Sequence, residues 1–354
     1  MTCFTMTLGG VSNLAALGIV CGSTARFRRR SKSPFLLLTG ALLLTDLAGH
    51  LILGALALYL HLARGWGWGR GRGPSGAEAR LCPLFGACMV FFGLCPLLLG
   101  GAMAVERFLG ITRPLLHTAV VTAGHACRAV ALLASLALLL ALLPLVVVGS
   151  YAPQFPGTWC FLPIHSPPTP ADAGLALAFS GLGLAALTLS LFCNSLSGLA
   201  LLQARLGSAG CRTAYLRGTE RGRRGVIARL AFPSTTHSLD VEMMGQLAGI
   251  TVVSCVCWTP FLIFISVSVG KFYSGSGLSG SGPSPRPYER QVLLSLRMAS
   301  WNQILDPWVY ILLRRAVLRR LLKLLRCSSL THSSSCADAP RLDACLRTHT
   351  QSKH

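Results

Sequence analysis

Long apolar stretches recur along the chain, each separated from the next by a short polar segment. Several exceed the roughly 18 uncharged residues that can cross a bilayer as a helix, as in LCPLFGACMVFFGLCPLLLGGAMAV. A soluble protein can bury one such helix in its core, but seven in succession predict an all-α membrane protein, a seven-transmembrane helix bundle. The predicted spans are Cys3–Ala25, Pro34–Leu62, Leu81–Val105, Ala129–Gly149, Ala173–Leu202, Met243–Gly270 and Gln291–Leu313.

The distribution of basic residues between the loops predicts the orientation. With the N-terminus outside, 24 of the 32 Lys and Arg residues fall in the inner segments Arg26–Ser33, Glu106–Arg128, Gln203–Glu242 and Arg314–His354. This excess follows the positive-inside rule, so we expect a multi-pass plasma-membrane protein with an extracellular N-terminus. The net charge of +21 then lies mostly on the inner face, where it meets anionic membrane lipid. It does not indicate a nucleic-acid partner.

The composition agrees with this class. Of the 354 residues, 52% are hydrophobic and only 12% are charged, whereas soluble chains carry about 25% charge. A soluble globular domain is therefore excluded.

A basic segment, RRAVLRRLLKLLR at Arg314–Arg326, follows the seventh span. Its apolar residues fall on one helical arc and its basic residues on the other, which predicts a short amphipathic helix on the inner membrane surface. Cys327 follows it as a candidate for palmitoylation, with an unmodified thiol as the alternative. The membrane domain is expected to cover residues 1–326, and residues 327–354 to form a disordered cytoplasmic tail.

The predicted topology places few cysteines on the oxidising, extracellular side of the membrane. Of the 14 cysteines, only Cys82, at the outer end of the third span, and Cys160, in the second outer loop, fall at plausible extracellular positions. A disulfide between them is chemically permitted there. No Cys or His spacing suggests a metal site, and no cofactor is expected.

Polar and kink-forming landmark residues occur in, or at the inner end of, five of the seven predicted spans. Ionisable groups inside a bilayer are costly, so they mark functional sites by default. Their order resembles a rhodopsin-like G-protein-coupled receptor across all seven spans. Asp46 and Asp306 also fit the proton path of a secondary transporter, the alternative class, although no internal repeat supports it. The landmarks are Asn13, Asp46, Glu106, Arg107, Trp258, Pro260, Asp306, Pro307 and Tyr310.

Four segments narrow the resemblance to the prostanoid receptors: DVEMMGQLAGI, MVFFGLCPLLLGGAMAVER, FPGTWCF and RMASWNQILDPWVYILLR. As in that family, Asp306 stands in place of the usual asparagine of the seventh helix, and Gly157–Cys160 spells the Gly-Thr-Trp-Cys loop. The resemblance implies a receptor for prostaglandin E2 that signals through a Gq-class G protein to phospholipase C and calcium. Prostaglandin F2α and thromboxane are the alternative ligands, and no enzyme activity is expected.

Arg297 places a desolvated positive charge in the seventh span without an obvious acidic partner. Asp306 is nine residues further on, about 13 Å along a helix and half a turn round it. Because the arginine fork matches a carboxylate with two parallel donors, Arg297 is the candidate site for an anionic ligand, with an internal ion pair as the alternative. The resemblance implies the same role, since this arginine binds the prostaglandin carboxylate in the family.

Other candidate ligand contacts come from the resemblance. Thr158 is expected to donate a hydrogen bond to the carboxylate. Trp159 either lines the pocket mouth or only packs the loop, and Met89 either lines the acyl chains or packs the third helix. Family members usually have a tyrosine near the outer end of the second helix, where this chain has His61.

The resemblance also implies an activation switch. Glu106 and Arg107 are expected to form a local pair that opens to admit the G protein, with simple anchoring of Arg107 at the interface as the alternative. Trp258 lies two residues before Pro260, which is expected to kink the sixth span. The predicted switch residues are Asp46, Glu106, Arg107, Trp258, Pro260, Asp306, Pro307 and Tyr310.

Overall fold

The computed structural model describes residues 2–27, 33–65, 76–155, 157–164, 167–218, 234–274 and 286–312. The predicted membrane-surface helix, Cys327 and the tail lie outside these residues. In chain order the elements are α1 Thr2–Phe27, α2 Ser33–Gly65, α3 Gly76–Thr112, α4 Pro114–Val120, α5 Ala123–Val146, β1 Ala152–Gln154, β2 Trp159–Phe161, α6 Pro170–Gly218, α7 Ser234–Tyr273 and α8 Arg286–Leu312.

Seven of the described helices, α1 to α3 and α5 to α8, follow the order of the predicted spans. By length and apolar composition, α2, α3, α5, α6 and α7 can each cross a membrane, and α1 contains a shorter apolar stretch at Thr7–Cys21. α8 is less apolar because Arg297 and Asp306 lie within it. The helices confirm the predicted all-α bundle.

The helices extend beyond the apolar runs that predicted them. α5 begins at Ala123 rather than Ala129, because Thr122 caps it by accepting a hydrogen bond from the backbone N–H of His125. α6 continues to Gly218, well into the predicted inner segment. Apolar runs report the part of a helix that contacts lipid, whereas caps and tertiary contacts set where the helix ends.

α3 is the central helix of the bundle. It contacts α2, α5, α6 and α7, and both strands. Within its apolar window 61% of the residues are buried, against 17% for α5. α3 therefore forms the axis on which the other spans pack, and α5 lies at the periphery.

A β-hairpin covers the outer end of the bundle, an element absent from the sequence-based prediction. β1 and β2 pair antiparallel, with Gln154 opposite Trp159, and Gly157 in the turn has a φ of 86°, which favours glycine. A Cys82–Cys160 disulfide joins the hairpin to the start of α3 and confirms that prediction. Residues 159–164 are all buried, so the hairpin fits into the helix bundle.

Tyr151 anchors the segment that leads into the hairpin. Its hydroxyl donates to the carbonyl of Ala141 at 2.7 Å, and burial raises the pKa of this phenol, with a further contribution from Cys88. The hydroxyl therefore stays protonated as a donor. Gly86 of α3 makes room for the ring, because a Cβ there would lie 2.2 Å from Tyr151 Cδ1.

Candidate functional site

Hydrogen bonds between spans hold the bundle interior. Asn13 Nδ2 of α1 donates to the carbonyl of Gln303 in α8 at 2.9 Å. Asn194 Nδ2 of α6 donates to Thr251 Oγ1 of α7 at 2.7 Å. An unpaired polar group is costly in hydrocarbon, so these bonds favour one arrangement of the spans.

The structure brings Asp46 of α2 and Asp306 of α8 together as a buried polar core. Their exposed fractions are 0% and 1%, and the carboxyl groups are close enough to interact electrostatically. Asn302 Nδ2 donates to Asp306 Oδ2 at 2.8 Å. Among the described residues, no donor reaches either Asp46 oxygen or Asp306 Oδ1. This acceptor-rich core is suited chemically to take up a proton, water or a cation.

Glu106 and Arg107 form a buried pair at the inner end of α3. The Arg107 guanidinium donates to both carboxylate oxygens of Glu106, and its Cζ lies 4.8 Å from the centre of the Phe35 ring. Sequence reasoning missed a third member, His117 of α4, whose Nε2 is 2.9 Å from Glu106 Oε1. The pair is thus held by groups from α2 and α4 as well as from α3.

An aromatic cluster connects the outer hairpin with the switch tryptophan. The ring of Phe161, from β2, lies 5.3 Å from Phe179 of α6 and 5.5 Å from Phe261 of α7. Trp258 lies 6.5 Å from Phe179 and 6.3 Å from Phe261, and Trp159 is 6.2 Å from Phe161. Packed aromatic side chains therefore connect the hairpin with α7.

The two switch prolines lie inside their helices. Pro260 of α7 is exposed and follows Trp258, while Pro307 of α8 is buried beside Asp306. Each removes a backbone donor from the helical ladder. The side chain of Tyr310 is outside the described part of the chain.

The outer candidate residues lie on different elements: Met89 on α3, Thr158 and Trp159 in the hairpin, His61 on α2 and Arg297 on α8. Trp159 is 5% exposed, and its Nε1 donates to the carbonyl of Phe155 at 2.8 Å, so it packs the hairpin. Thr158 is half-buried in the turn, and Met89 of α3 is half-buried against the core. His61 lies in α2, but its side chain is outside the described residues.

Arg297 is exposed, so the neighbouring helices do not bury its guanidinium. It follows Leu294 and precedes Trp301 at helical spacing, and these are 61% and 44% exposed, so the three share one outer face of α8. Within the described part of the chain, no acidic side chain pairs with Arg297. The guanidinium is thus accessible to an anion that arrives from outside the bundle.

A cavity of about 470 Å³ opens elsewhere, between α3, α5 and α6 near their inner ends. Its lining is apolar apart from Glu106 and His125, and neither Arg297 nor Thr158 contributes to it. The only acid in this lining would repel a carboxylate, so the cavity is a poor site for a carboxylate ligand.

Three sets of residues were not identified from the sequence: His117, the phenylalanines 161, 179 and 261, and the Asn194–Thr251 pair. Phenylalanines in apolar spans are common and give no signal of a cluster. Asn194 had a usable signal, since a polar amide in a span needs a partner.

The chain is similar to known membrane receptors. The model of the 7 transmembrane receptor (rhodopsin family) matches residues 17–310. The prostaglandin E2 receptor EP1 subtype of Rattus norvegicus is 48% identical over 353 residues, 91% of this chain and 81% of the relative. That of Homo sapiens is 48% identical over 347 residues, with the same coverage.

The prostaglandin F2-alpha receptor of Homo sapiens is less similar, at 40% identity over 319 residues, 90% of this chain and 79% of the relative. Each of these similarities covers 90% or more of this chain. The chain therefore belongs to the rhodopsin family of seven-transmembrane receptors and, within it, to the prostanoid receptors.

Proposed function

We propose that this chain is a plasma-membrane receptor for prostaglandin E2 that activates a Gq-class G protein and so raises cytosolic calcium. The observation that carries the proposal is the difference in similarity: 48% identity to the human prostaglandin E2 receptor EP1 subtype against 40% to the human prostaglandin F2-alpha receptor. A receptor for prostaglandin F2α or thromboxane is the second candidate, because those ligands carry the same carboxylate.

The carboxylate of the ligand binds Arg297 in this proposal. The guanidinium is exposed and has no acidic partner among the described side chains, and Arg297 lies on an apolar face of α8. A lipid anion can therefore reach the charge while its chains remain in an apolar environment. Thr158, in the turn of the hairpin, adds a hydroxyl donor to the bound carboxylate, while Met89 and His61 are candidate contacts for the rest of the ligand.

Transmission to the inner face uses the contacts between spans. The hairpin contacts Phe261 through Phe161, and Phe261 contacts Trp258, which lies two residues before Pro260. The core at Asp46 and Asp306 allows α2 and α8 to shift, because its unpaired acceptors can accept new hydrogen bonds when the helices move. The Glu106–Arg107 pair then opens, and Arg107 becomes available to the G protein.

A calcium assay on cells that express the full chain tests this function. We expect prostaglandin E2 to be the most potent member of a prostanoid panel, and we expect the response to disappear in cells that lack Gq-class α subunits. A higher potency of prostaglandin F2α or a thromboxane analogue would contradict the ligand. A response that persists without Gq-class subunits would contradict the coupling.

A further inference from the structure

The short helix α4 connects to the bundle through one buried side chain. Of its seven residues, all of which the structure describes, only His117 is buried, at 6% exposed. Leu115, Leu116 and Val120 are 85%, 51% and 52% exposed. A helix of this length is not stable in isolation, so its position depends on what holds His117.

Backbone and side-chain contacts fix the His117 ring. Its N–H donates to the carbonyl of Arg113 at 2.9 Å, and its carbonyl accepts from Val121 at 2.8 Å. The ring lies against Gly110 of α3, and Nε2 is 2.9 Å from Glu106 Oε1. An ionised carboxylate offers only acceptors, so Nε2 is the protonated nitrogen that donates.

The same carboxylate oxygen, Glu106 Oε1, accepts from Arg107. Both side chains are buried, and charge-assisted hydrogen bonds are strong in such places. His117 therefore fixes the orientation in which Glu106 holds Arg107. Any movement of α4 away from α3 removes this donor from Glu106.

We propose that His117 is a positioning residue for the Arg107 switch: its hydrogen bond to Glu106 stabilises the closed pair and couples the pair to the docking of α4. The inference rests on the proposed G-protein signalling of this chain. Loss of the donor shifts the population toward the open pair. Ligand-independent signalling then rises. A substituted side chain that keeps a donor of similar reach should return this signalling to its low basal level.

The test measures ligand-independent nucleotide exchange on a panel of G-protein classes, using the full chain and normalising to receptor at the cell surface. His117→Phe keeps a buried ring on α4 but removes the donor, and His117→Gln keeps a donor. His125→Phe is the matched control, because His125 lies nearby but is exposed and bonds Thr122 instead. Glu106→Gln, alone and combined with His117→Phe, completes a double-mutant cycle.

We expect His117→Phe to raise basal exchange at least about threefold, with His117→Gln and His125→Phe near wild type. In the Glu106→Gln background, His117→Phe should add little, since the acceptor charge is already gone. Basal exchange at the wild-type level in His117→Phe would overturn the inference. Raised basal exchange in His117→Gln would also overturn it, and so would fully additive effects of Glu106→Gln and His117→Phe in the double mutant. The response of the wild type to prostanoids is measured separately. A wrong assignment of the ligand can therefore be distinguished from a wrong assignment of His117, because basal exchange is measured without ligand.

Discussion

Asn13 in the first span donates a hydrogen bond to the carbonyl of Gln303 in the last, at 2.9 Å. Gln303 lies one turn before Asp306, and a Cβ at Gly49 of α2 would lie 2.8 Å from Gln303 Nε2. The three helices thus meet closely beside the buried acidic core. The bond joins the first and last spans one turn before Pro307, the proline inside α8.

Replacing Asn13 with leucine should lower the stability of the receptor. The substitution removes the bond to Gln303, and such bonds between membrane helices contribute about 0.6 kcal/mol on average and up to about 2 kcal/mol. A thermal-unfolding assay on purified receptor should show a Tm lower by a few degrees. Leu14→Ala is the control, because Leu14 is 59% exposed, and an equal loss there would contradict the bond's contribution.

Gly93→Ala should disturb the switch tryptophan. A Cβ at Gly93 would lie 2.9 Å from Trp258 Cη2 and 3.3 Å from Phe179 Cζ, so the buried indole must move. We expect agonist potency to change about fivefold or more. Gly100→Ala, in the same helix with open space around it, should behave as wild type, and equal effects at both glycines would point to general disruption of α3.

Cys160→Ser should abolish high-affinity binding and reduce surface expression. The disulfide to Cys82 ties the hairpin to α3, and loss of a native disulfide costs about 2–5 kcal/mol. Radioligand binding and surface labelling measure the outcome. Cys127→Ser, which removes an exposed free thiol, should have no effect, and normal affinity in Cys160→Ser would show that the hairpin does not need this link.

Arg107→Ala should abolish signalling while agonist binding stays within a few-fold of wild type. The side chain holds Glu106 in the closed pair, and in the proposed mechanism it then contacts the G protein. Calcium signalling and radioligand binding should be compared on the same cells. Parallel loss of both would indicate misfolding rather than a role in the switch.

Arg297→Gln should weaken binding of prostaglandin E2 far more than binding of its methyl ester, which carries no anion. Hydrogen bonds to charged groups contribute roughly 1.5–3 kcal/mol, and the exposure of Arg297 favours the lower value, so we expect a loss of about tenfold or more. Competition binding with acid and ester measures this difference.

Lys271→Gln is the control for Arg297→Gln, because it removes an exposed cation at the end of α7 and should spare the preference for the acid. An equal loss of affinity for acid and ester in Arg297→Gln would exclude a carboxylate contact. The anion site would then have to be sought around Thr158 and His61.

The amino-acid sequence was enough to predict the class of protein, the order of its spans and one disulfide. Apolar runs of membrane length predict spans wherever they occur, because water cannot solvate them favourably, and the observed helices follow them in order. The Cys82–Cys160 disulfide could also be predicted, because the predicted spans left only these two cysteines on the oxidising side of the membrane. The segments around Trp159 and Asp306 indicated the family.

Which distant residues meet, and which way each side chain points, depends on how the helices pack in three dimensions. The histidine in RPLLHTAV has no compositional signal, and it becomes a partner of Glu106 only because α4 folds back against α3. Phe161 joins Trp258 through Phe261 because a hairpin inserts between helices. Arg297 could be assigned a depth from hydropathy but not its exposure, because the packing of neighbouring helices decides which face of α8 they cover.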